Sequence, residues 1–191
     1  NLIITNTSNP ISKINVTNEK GINISSNSYV VSNDNFNVYF KKNELILGNV
    51  EEDGRLLLYN ITNGQKMIIK SPIIISSYKN SIINNVSLVL NKANNVTICD
   101  IVFIDSTIEL KSSSNIIIAN NTFNSTRSTL LTINNGKNNT FSNNSISINS
   151  ADVSVIKLTK TDSNIIQNNV LNINGTTIKA IIIDSSKYNL I

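Results

Sequence analysis

The chain has 191 residues, a net charge of +4 and 40% hydrophobic residues, enough apolar material for the core of one domain. It contains no histidine and a single cysteine, Cys99, which excludes a Ser-His-Asp triad, a histidine metal site and an internal disulfide. The 16 Lys and Arg residues are scattered, so nucleic acid is not an expected partner, and no apolar run approaches the roughly 18 residues of a membrane span.

Residues 1–54 are predicted to form a lead-in and a cap. A short helix is predicted at about 33–41, because Asn33 or Asp34 can begin a helix and Phe36, Tyr39 and Phe40 then share one face. We expect this helix to cover the open end of the repeats that follow, since an uncovered end exposes unpaired strand groups. An aromatic binding patch is the alternative. The acidic residues 51–53 are read as a solvated turn rather than a calcium site.

Residues 55–191 are predicted to form repeated coils. One copy of the repeat, residues 115–123, reads N-I-I-I-A-N-N-T-F, and copies begin at Asn80, Asn95, Asn115, Asn138, Ser163 and Tyr188, in steps of 15, 20, 23, 25 and 25 residues. Repeats of about 20 to 25 residues are typical of solenoids. The first step is too short for a coil of three strands, so the sequence does not fix the register between residues 73 and 95.

Two kinds of position recur in the copies. The fourth and ninth are apolar and predict a core stack of Ile98, Ile118, Phe141, Ile166, Phe103, Phe123, Ile146 and Leu171. The first copy would add Ile83 and Leu88 to these two columns. The sixth position predicts a ladder of stacked amides made by Asn85, Asp100, Asn120, Asn143 and Asn168. Asn also tolerates the left-handed backbone that a bend at this point requires.

A second apolar segment follows in each repeat, with the alternation of a half-buried strand: Leu88–Leu90, Ile108–Leu110, Leu131–Ile133, Ile156–Leu158 and Ile181–Ile183. The middle residues are expected to point outward. Stacked at the inter-strand distance, these units predict an all-β fold, a right-handed parallel β-helix (solenoid). The last copy stops at Ile191 within a unit, so we expect the coils to continue in a longer parent chain.

The opening phrase V-S-N-D-N-F-N-V-Y-F (residues 31–40), then G-R-L-L-L-Y (54–59) and M-I-I-K-S-P-I-I-I (67–75), resembles that of the Asn/Thr-rich adhesin-like surface proteins of methanogenic archaea. Their parallel β-helix repeats are similar to those of NosD-like and pectate-lyase-like proteins. The resemblance covers about residues 30–191. It implies a secreted protein of the cell surface that serves in attachment, and it supplies no catalytic residues.

Two further readings stay open. A carbohydrate-active β-helix, a polysaccharide lyase or hydrolase, would need acids clustered on one face. Asp105, Asp152, Asp162 and Asp184 instead fall at different offsets in their coils, and no catalytic, metal or cofactor residue is predicted. A purely structural envelope or fibre protein is the other reading. With no Trp, aromatic contacts to glycans would rest on Tyr78 and Tyr188.

Eleven Asn-x-Ser/Thr sequences occur. Those at the predicted ladder positions Asn85, Asn120 and Asn143 are expected to be inaccessible. The candidate glycan acceptors are Asn6, Asn15, Asn23, Asn124 and Asn174. The function predicted from the sequence is a non-enzymatic, extracellular, cell-surface adhesin-like protein, whose partners are glycans or proteins of other cells.

Overall fold

The computed structural model describes residues 27–51 and 54–191. They form a parallel β-solenoid of about seven turns with 55% strand and 4% helix, so the predicted all-β repeat fold is confirmed. The right hand of the winding stays a prediction. No helix in the described ranges is long and apolar enough to cross a membrane.

The elements follow one another in short steps along the chain. In order they are β1 Ser28–Val31, α1 Phe36–Tyr39, β2 Phe40–Lys41, β3 Glu44–Leu45, a 3-10 helix Leu47–Asn49, β4 Arg55–Leu58, β5 Lys66–Ile69, β6 Ile73–Ser77, β7 Ile82–Asn84, β8 Ser87–Asn91, β9 Val96–Cys99, β10 Val102–Ile104, β11 Thr107–Lys111, β12 Ile117–Ala119, β13 Thr122–Ser125, β14 Leu131–Asn134, β15 Thr140–Ser142, β16 Ser145–Asn149, β17 Asp152–Thr159, β18 Ile165–Gln167, β19 Val170–Asn174 and β20 Thr177–Asp184.

Each full coil contributes one strand to each of three sheets. The seven-stranded sheet has the order β1-β4-β6-β9-β12-β15-β18, the five-stranded sheet β7-β10-β13-β16-β19, and the eight-stranded sheet β2-β3-β5-β8-β11-β14-β17-β20. All pairs are parallel except the hairpin β2–β3. β1 pairs with β4, so Ser28–Val31, within the predicted lead-in, belongs to the seven-stranded sheet.

Asparagine turns the chain at the corners between sheets. Of the 22 described non-glycine residues with a positive φ, twelve are Asn, among them Asn120, Asn143 and Asn168 at φ 58°, 54° and 55°. Few other side chains tolerate this left-handed backbone, because their Cβ crowds the following carbonyl oxygen. The described corners of this kind therefore use twelve of the 37 Asn residues of the chain, and Lys, Ser, Asp and Tyr occupy the other ten.

Apolar side chains stack along the inside of the coils. Ile98 pairs with Ile118, Ile118 with Phe141, and Phe141 with Ile166 along the seven-stranded sheet. In the five-stranded sheet the pairs run Phe103, Phe123, Ile146, Leu171. The rings of Phe103 and Phe123 lie parallel, with centroids 5.0 Å apart. Leu171 is only partly buried, whereas the rest of both columns lies in the core.

The register of the first copy differs from the one the pattern predicted. Ile83 pairs with Phe103 in the five-stranded sheet, not with Ile98, whose partner in the preceding coil is Ile75. Leu88 lies in the eight-stranded sheet beside Ile108 rather than in the Phe103 column. The 15-residue step joins a strand of one sheet to a strand of another, which explains why it is shorter than a coil.

The buried amide ladder runs one residue later than predicted. Asn121 and Asn144 are each 1% exposed, and Asn144 Oδ1 accepts hydrogen bonds from the backbone N–H and Nδ2 of Asn121, at 2.9 and 3.1 Å. Asn144 Nδ2 donates to Asn169 Oδ1 at 3.0 Å. The predicted ladder is wrong, because its members turn outward at left-handed corners and are exposed: Asn85, Asp100, Asn120, Asn143 and Asn168.

A second buried ladder, which the sequence pattern did not predict, runs at the corner between the eight-stranded and seven-stranded sheets. Asn139 donates from its backbone N–H and from Nδ2 to Oδ1 of Asn164, both at 3.0 Å. Asn164 donates in the same way to Asn189 Oδ1, at 2.9 and 2.8 Å. Each amide thus satisfies a backbone group of the neighbouring coil that would otherwise be buried without a partner.

The predicted helix at 33–41 is reduced to the four residues of α1. Phe36, Tyr39 and Phe40 are buried in the main core, and Phe36 stacks on Phe40 with centroids 4.6 Å apart. They therefore fill the interior of the first coil. That α1 serves as a cap stays a prediction, as does the aromatic binding patch as a function, although the burial of all three rings leaves little of them for a partner.

Candidate functional site

The outer faces of the three sheets differ in chemistry. The seven-stranded sheet presents a column of β-branched side chains, Ile74, Thr97, Ile117, Thr140 and Ile165, paired strand to strand. Beside it runs a column of small side chains, Ser76, Cys99, Ala119 and Ser142. Burial raises the pKa of the Cys99 thiol to about 11, so this thiol is protonated at neutral pH and is a weak nucleophile.

The eight-stranded sheet carries charges on its outer face. The middle strand residues run Val89, Glu109, Thr132, Lys157, Ile182 from coil to coil. Val89 is nevertheless buried, at 4% exposed. The ion pairs Lys111–Glu109 and Lys70–Glu44, at 3.1 and 2.7 Å, are solvent-exposed, and such pairs add little to stability.

The outer face of the five-stranded sheet is apolar over its first two strands, where Ile82, Val102 and Ile104 point outward, and polar over the next three. Its strands alternate in burial, and the outward positions of β13, β16 and β19 are short hydroxyl and amide side chains, with Val170 as the exception. We call the polar members of this surface the polar face: Thr122, Asn124, Ser145, Ser147 and Asn172. Since successive coils repeat the same backbone geometry, these groups lie in register at the inter-strand spacing of about 4.8 Å.

A loop at residues 126–130 rises at one edge of the polar face. The backbone N–H and the hydroxyl of Thr126 both donate to Asp105 Oδ1, at 2.7 and 2.9 Å. Arg127 Nε donates to the backbone oxygen of Asp105, and its guanidinium also reaches Oδ1 of Asn85, 42 residues earlier in the chain. The loop is thus fixed to the two preceding coils.

This loop and the polar face enclose a shallow pocket of about 250 Å³, which we call the Asp105 pocket. Its lining residues are polar apart from Ile104, although most of the surface that they present to the pocket is carbon; they are Ile104, Asp105, Asn124, Ser125, Thr126, Ser147 and Asn149. The hydrogen bond from the Thr126 backbone N–H holds the pKa of the Asp105 carboxyl below its usual range, with a smaller contribution from the Arg127 charge. The pocket therefore holds a fixed carboxylate at neutral pH.

No family model, curated protein or solved structure matches this chain.

Of the acidic residues considered for catalysis, Asp184 pairs with Thr159, and Asn134 and Lys111 continue that column without a second acid. In the described part of the chain, no three His, Cys, Asp or Glu side chains gather where they could hold a metal ion. Asp105 is the one acid that lines the Asp105 pocket.

Two of the five predicted glycan acceptors lie within the described residues. Asn124 and Asn174 are exposed on β13 and β19, and Asn174 Nδ2 donates to Asn149 Oδ1 at 3.4 Å. Asn6, Asn15 and Asn23 lie outside the described residues. The expectation that three other acceptor sequences are inaccessible is wrong, since their asparagines stand at exposed corners: Asn85, Asn120 and Asn143.

The two tyrosines considered for aromatic contacts to glycans differ in exposure. Tyr188 is 84% exposed, but Tyr78 is only 4% exposed and packs edge-on against Tyr59 with ring centroids 5.7 Å apart. Tyr78 belongs to a small apolar cluster with Val30 and Leu57 outside the main core.

The Asp105 pocket was not predicted from the sequence. Its signal was the lengthening of the coil from 20 to 23 residues, which leaves room for the loop at 126–130.

Proposed function

We propose that this chain is a non-enzymatic, adhesin-like β-solenoid of an extracellular cell surface, and that the polar face is its contact surface for glycans. The observation that carries the proposal is the register of the polar face. Hydroxyl and amide side chains, which hydrogen-bond to sugar hydroxyls, repeat on successive coils of one flat sheet. A rigid array of this kind suits repeated weak contacts along a polymer better than one deep site.

The inside of the coils supports the same proposal. The two amide ladders and the Ile and Phe columns hold each coil on the next, so the spacing of the outer groups is fixed by the core. A contact surface that is rigid before binding loses little conformational entropy when a partner arrives. The resemblance to adhesin-like surface proteins of methanogenic archaea points to the same role.

The test is binding of the fluorescently labelled chain to a glycan array and to whole microbial and host cells. Saturable binding to a defined set of glycans, competed by the free glycan, is the expected result. A variant with Asn124, Ser147 and Asn172 all changed to Glu puts three negative charges on the polar face, and it should bind more weakly. Because these positions pair strand to strand, its urea midpoint is measured to show that the fold survives the repulsion. No saturable binding to any glycan or cell would contradict the proposal.

A purely structural envelope or fibre role is the second candidate, and the two internal ladders favour it because they stiffen the stack without requiring a ligand. It predicts no saturable binding in the assay above. The third candidate, a polysaccharide lyase or hydrolase, predicts new reducing ends or unsaturated products when the chain is incubated with polysaccharides. Release of either product would overturn the non-enzymatic assignment.

A further inference from the structure

We infer that the Asp105 pocket binds one neutral sugar residue through its ring hydroxyls, an assignment that rests on the proposed glycan-contact function and gives it a defined subsite. The volume of about 250 Å³ lies below the roughly 300 to 1,000 Å³ of pockets that hold drug-sized ligands. A pocket of this size suits a single small ring, with the rest of a glycan lying along the polar face.

The polar groups of the pocket match the chemistry of vicinal hydroxyls. A carboxylate only accepts hydrogen bonds, a hydroxyl both donates and accepts, and an amide offers one acceptor and two donors. Asp105, Ser147, Asn124 and Asn149 bring all three kinds to one pocket. Ile104 adds an apolar patch against which the C–H groups of a sugar ring can pack.

Asp105 decides the charge class of the ligand. Both hydrogen bonds that it receives from Thr126 go to Oδ1, and Oδ2 has no hydrogen-bond partner among the described residues. Oδ2 is therefore the acceptor left for a ligand hydroxyl. The nearby Arg127 guanidinium is bonded to the Asp105 backbone and to Asn85, and it does not line the pocket. A uronic acid or a sulfated sugar would therefore bring a second negative charge next to the Asp105 carboxylate, which disfavours binding. Neutral hexoses and N-acetylhexosamines are the class that fits.

The loop that bounds the pocket is held before any ligand arrives. Thr126 is bonded to Asp105, and Arg127 is bonded to the Asp105 backbone and to the side chain of Asn85. A site whose side chains are fixed by surrounding hydrogen bonds binds without first ordering itself. The Asp105 pocket thus differs from the remainder of the polar face, where exposed side chains lie on an open sheet.

Asn124 in the pocket lining is also a candidate site of N-glycosylation. The sequence Asn124-Ser125-Thr126 is an N-glycosylation acceptor, and Asn124 itself lines the pocket. A glycan attached at Asn124 would occupy the space that a free sugar needs. The binding experiment therefore uses protein made without N-glycosylation, so that the pocket is open.

The experiment measures binding of neutral monosaccharides, and of glucuronate for comparison, by saturation-transfer NMR and calorimetry. The test variant is Ser147→Tyr, which fills the pocket, and the matched control is Val170→Tyr. Ser147 lines the pocket, whereas Val170, exposed on β19 of the same sheet, belongs neither to the pocket lining nor to the polar face. Urea midpoints equal to that of the wild type show that the fold of each variant is unchanged.

We expect the wild-type chain to bind at least one neutral sugar and to bind glucuronate more weakly. Ser147→Tyr should weaken sugar binding by at least about tenfold, and Val170→Tyr by less than about twofold. Asp105→Asn keeps an acceptor for Thr126 but replaces a carboxylate oxygen with an N–H donor, so it should weaken binding by about tenfold.

Two results would overturn the assignment. If Ser147→Tyr and Asp105→Asn bind the sugars as well as the wild type, the glycan-contact function stands but its subsite lies elsewhere on the polar face. If no neutral sugar binds, the subsite is refuted, and the glycan array and cell binding then report separately on the attachment function. Tighter binding of glucuronate than of neutral sugars would refute the charge argument.

Discussion

Replacement of Asn144 by alanine tests the amide ladder against the outward-turning corner next to it. The Asn144 side chain takes part in four hydrogen bonds, two accepted from Asn121 and two donated, to Ile118 O and to Asn169 Oδ1. In Asn144→Ala the backbone N–H of Asn121 loses its acceptor in the interior, whereas Nδ2 keeps its bonds to Ile98 O and Ala119 O. A buried donor left without a partner costs about 1–3 kcal/mol, so we expect a loss of about 2 kcal/mol.

Asn143 provides the matched control, because it is the same residue type one position earlier. Asn143 is exposed and stands at φ 54°. Asn143→Ala therefore loses only tolerance of the left-handed backbone, about 1 kcal/mol. Asn143→Gly should be close to neutral, since glycine adopts this backbone freely.

The assay is urea unfolding followed by circular dichroism, with amide hydrogen exchange to locate the loss. A stack of coils is stabilised by contacts between neighbours, so exchange should rise first in the two coils that carry Asn121 and Asn144. The reasoning fails if Asn143→Ala is as destabilising as Asn144→Ala. It fails equally if Asn144→Ala costs less than about 1 kcal/mol, because the ladder would then contribute little.

Three further predictions concern single sites. Gly136→Ala should lower the free energy of unfolding by at least about 2 kcal/mol, because a Cβ there would lie 2.2 Å from a backbone oxygen of the preceding coil. Gly48→Ala is the control, because a Cβ there would have nothing within 4 Å, and it should not lower the free energy of unfolding. Thermal melting compares the two variants. The Cys99 thiol should alkylate about 100-fold more slowly at pH 8 in the folded chain than in urea. Since its folded pKa of about 11 exceeds the reference value of 9.0, its contribution to stability should be lost between about pH 9 and 11, and serine at this position should remove that loss. Asp105 behaves oppositely: its folded pKa is lowered, so its stabilisation is present above the unfolded pKa of about 3.9 and is lost as pH falls through the folded value. Urea midpoints from pH 6 to 2 should therefore fall less steeply for Asp105→Asn, and an unchanged slope would show that the bonds from Thr126 do not favour the carboxylate.

The core columns could be predicted from the sequence because their chemistry is unambiguous. Ile, Phe and Leu that recur at a fixed position of the copies are expected to face inward, because burial of apolar side chains drives folding. The inward amide could not be read so directly, because two consecutive asparagines are chemically identical and only the left-handed backbone of the first decides which one turns in. The column itself held a signal, however. The position of Asn121 is occupied by Ile101 in the preceding copy, and that of Asn120 by Asp100, which marks the first column as inward and the second as outward.

The Asp105 pocket is harder to predict for a different reason. Its loop is held by hydrogen bonds from Thr126 and Arg127 to residues 21 and 42 positions earlier in the chain. Such contacts depend on which coils lie next to one another, and hence on a register that the short first step of the repeat obscures. The sequence shows that one coil is longer than the one before it, but it does not show which neighbouring coil the extra loop contacts.

The inward and outward positions of the coils evolve under different physical demands, and this explains why function is sought on the polar face. An inward position must match its neighbours above and below: Ile118 lies between Ile98 and Phe141, and an unmatched polar group there would be buried without a partner. An outward position such as Ser147 has solvent on one side and can change without that cost. A solenoid can therefore alter what it binds coil by coil while its ladders keep the spacing constant. It follows that substitutions on the polar face should change ligand preference at nearly constant stability, whereas substitutions in the ladders should do the reverse.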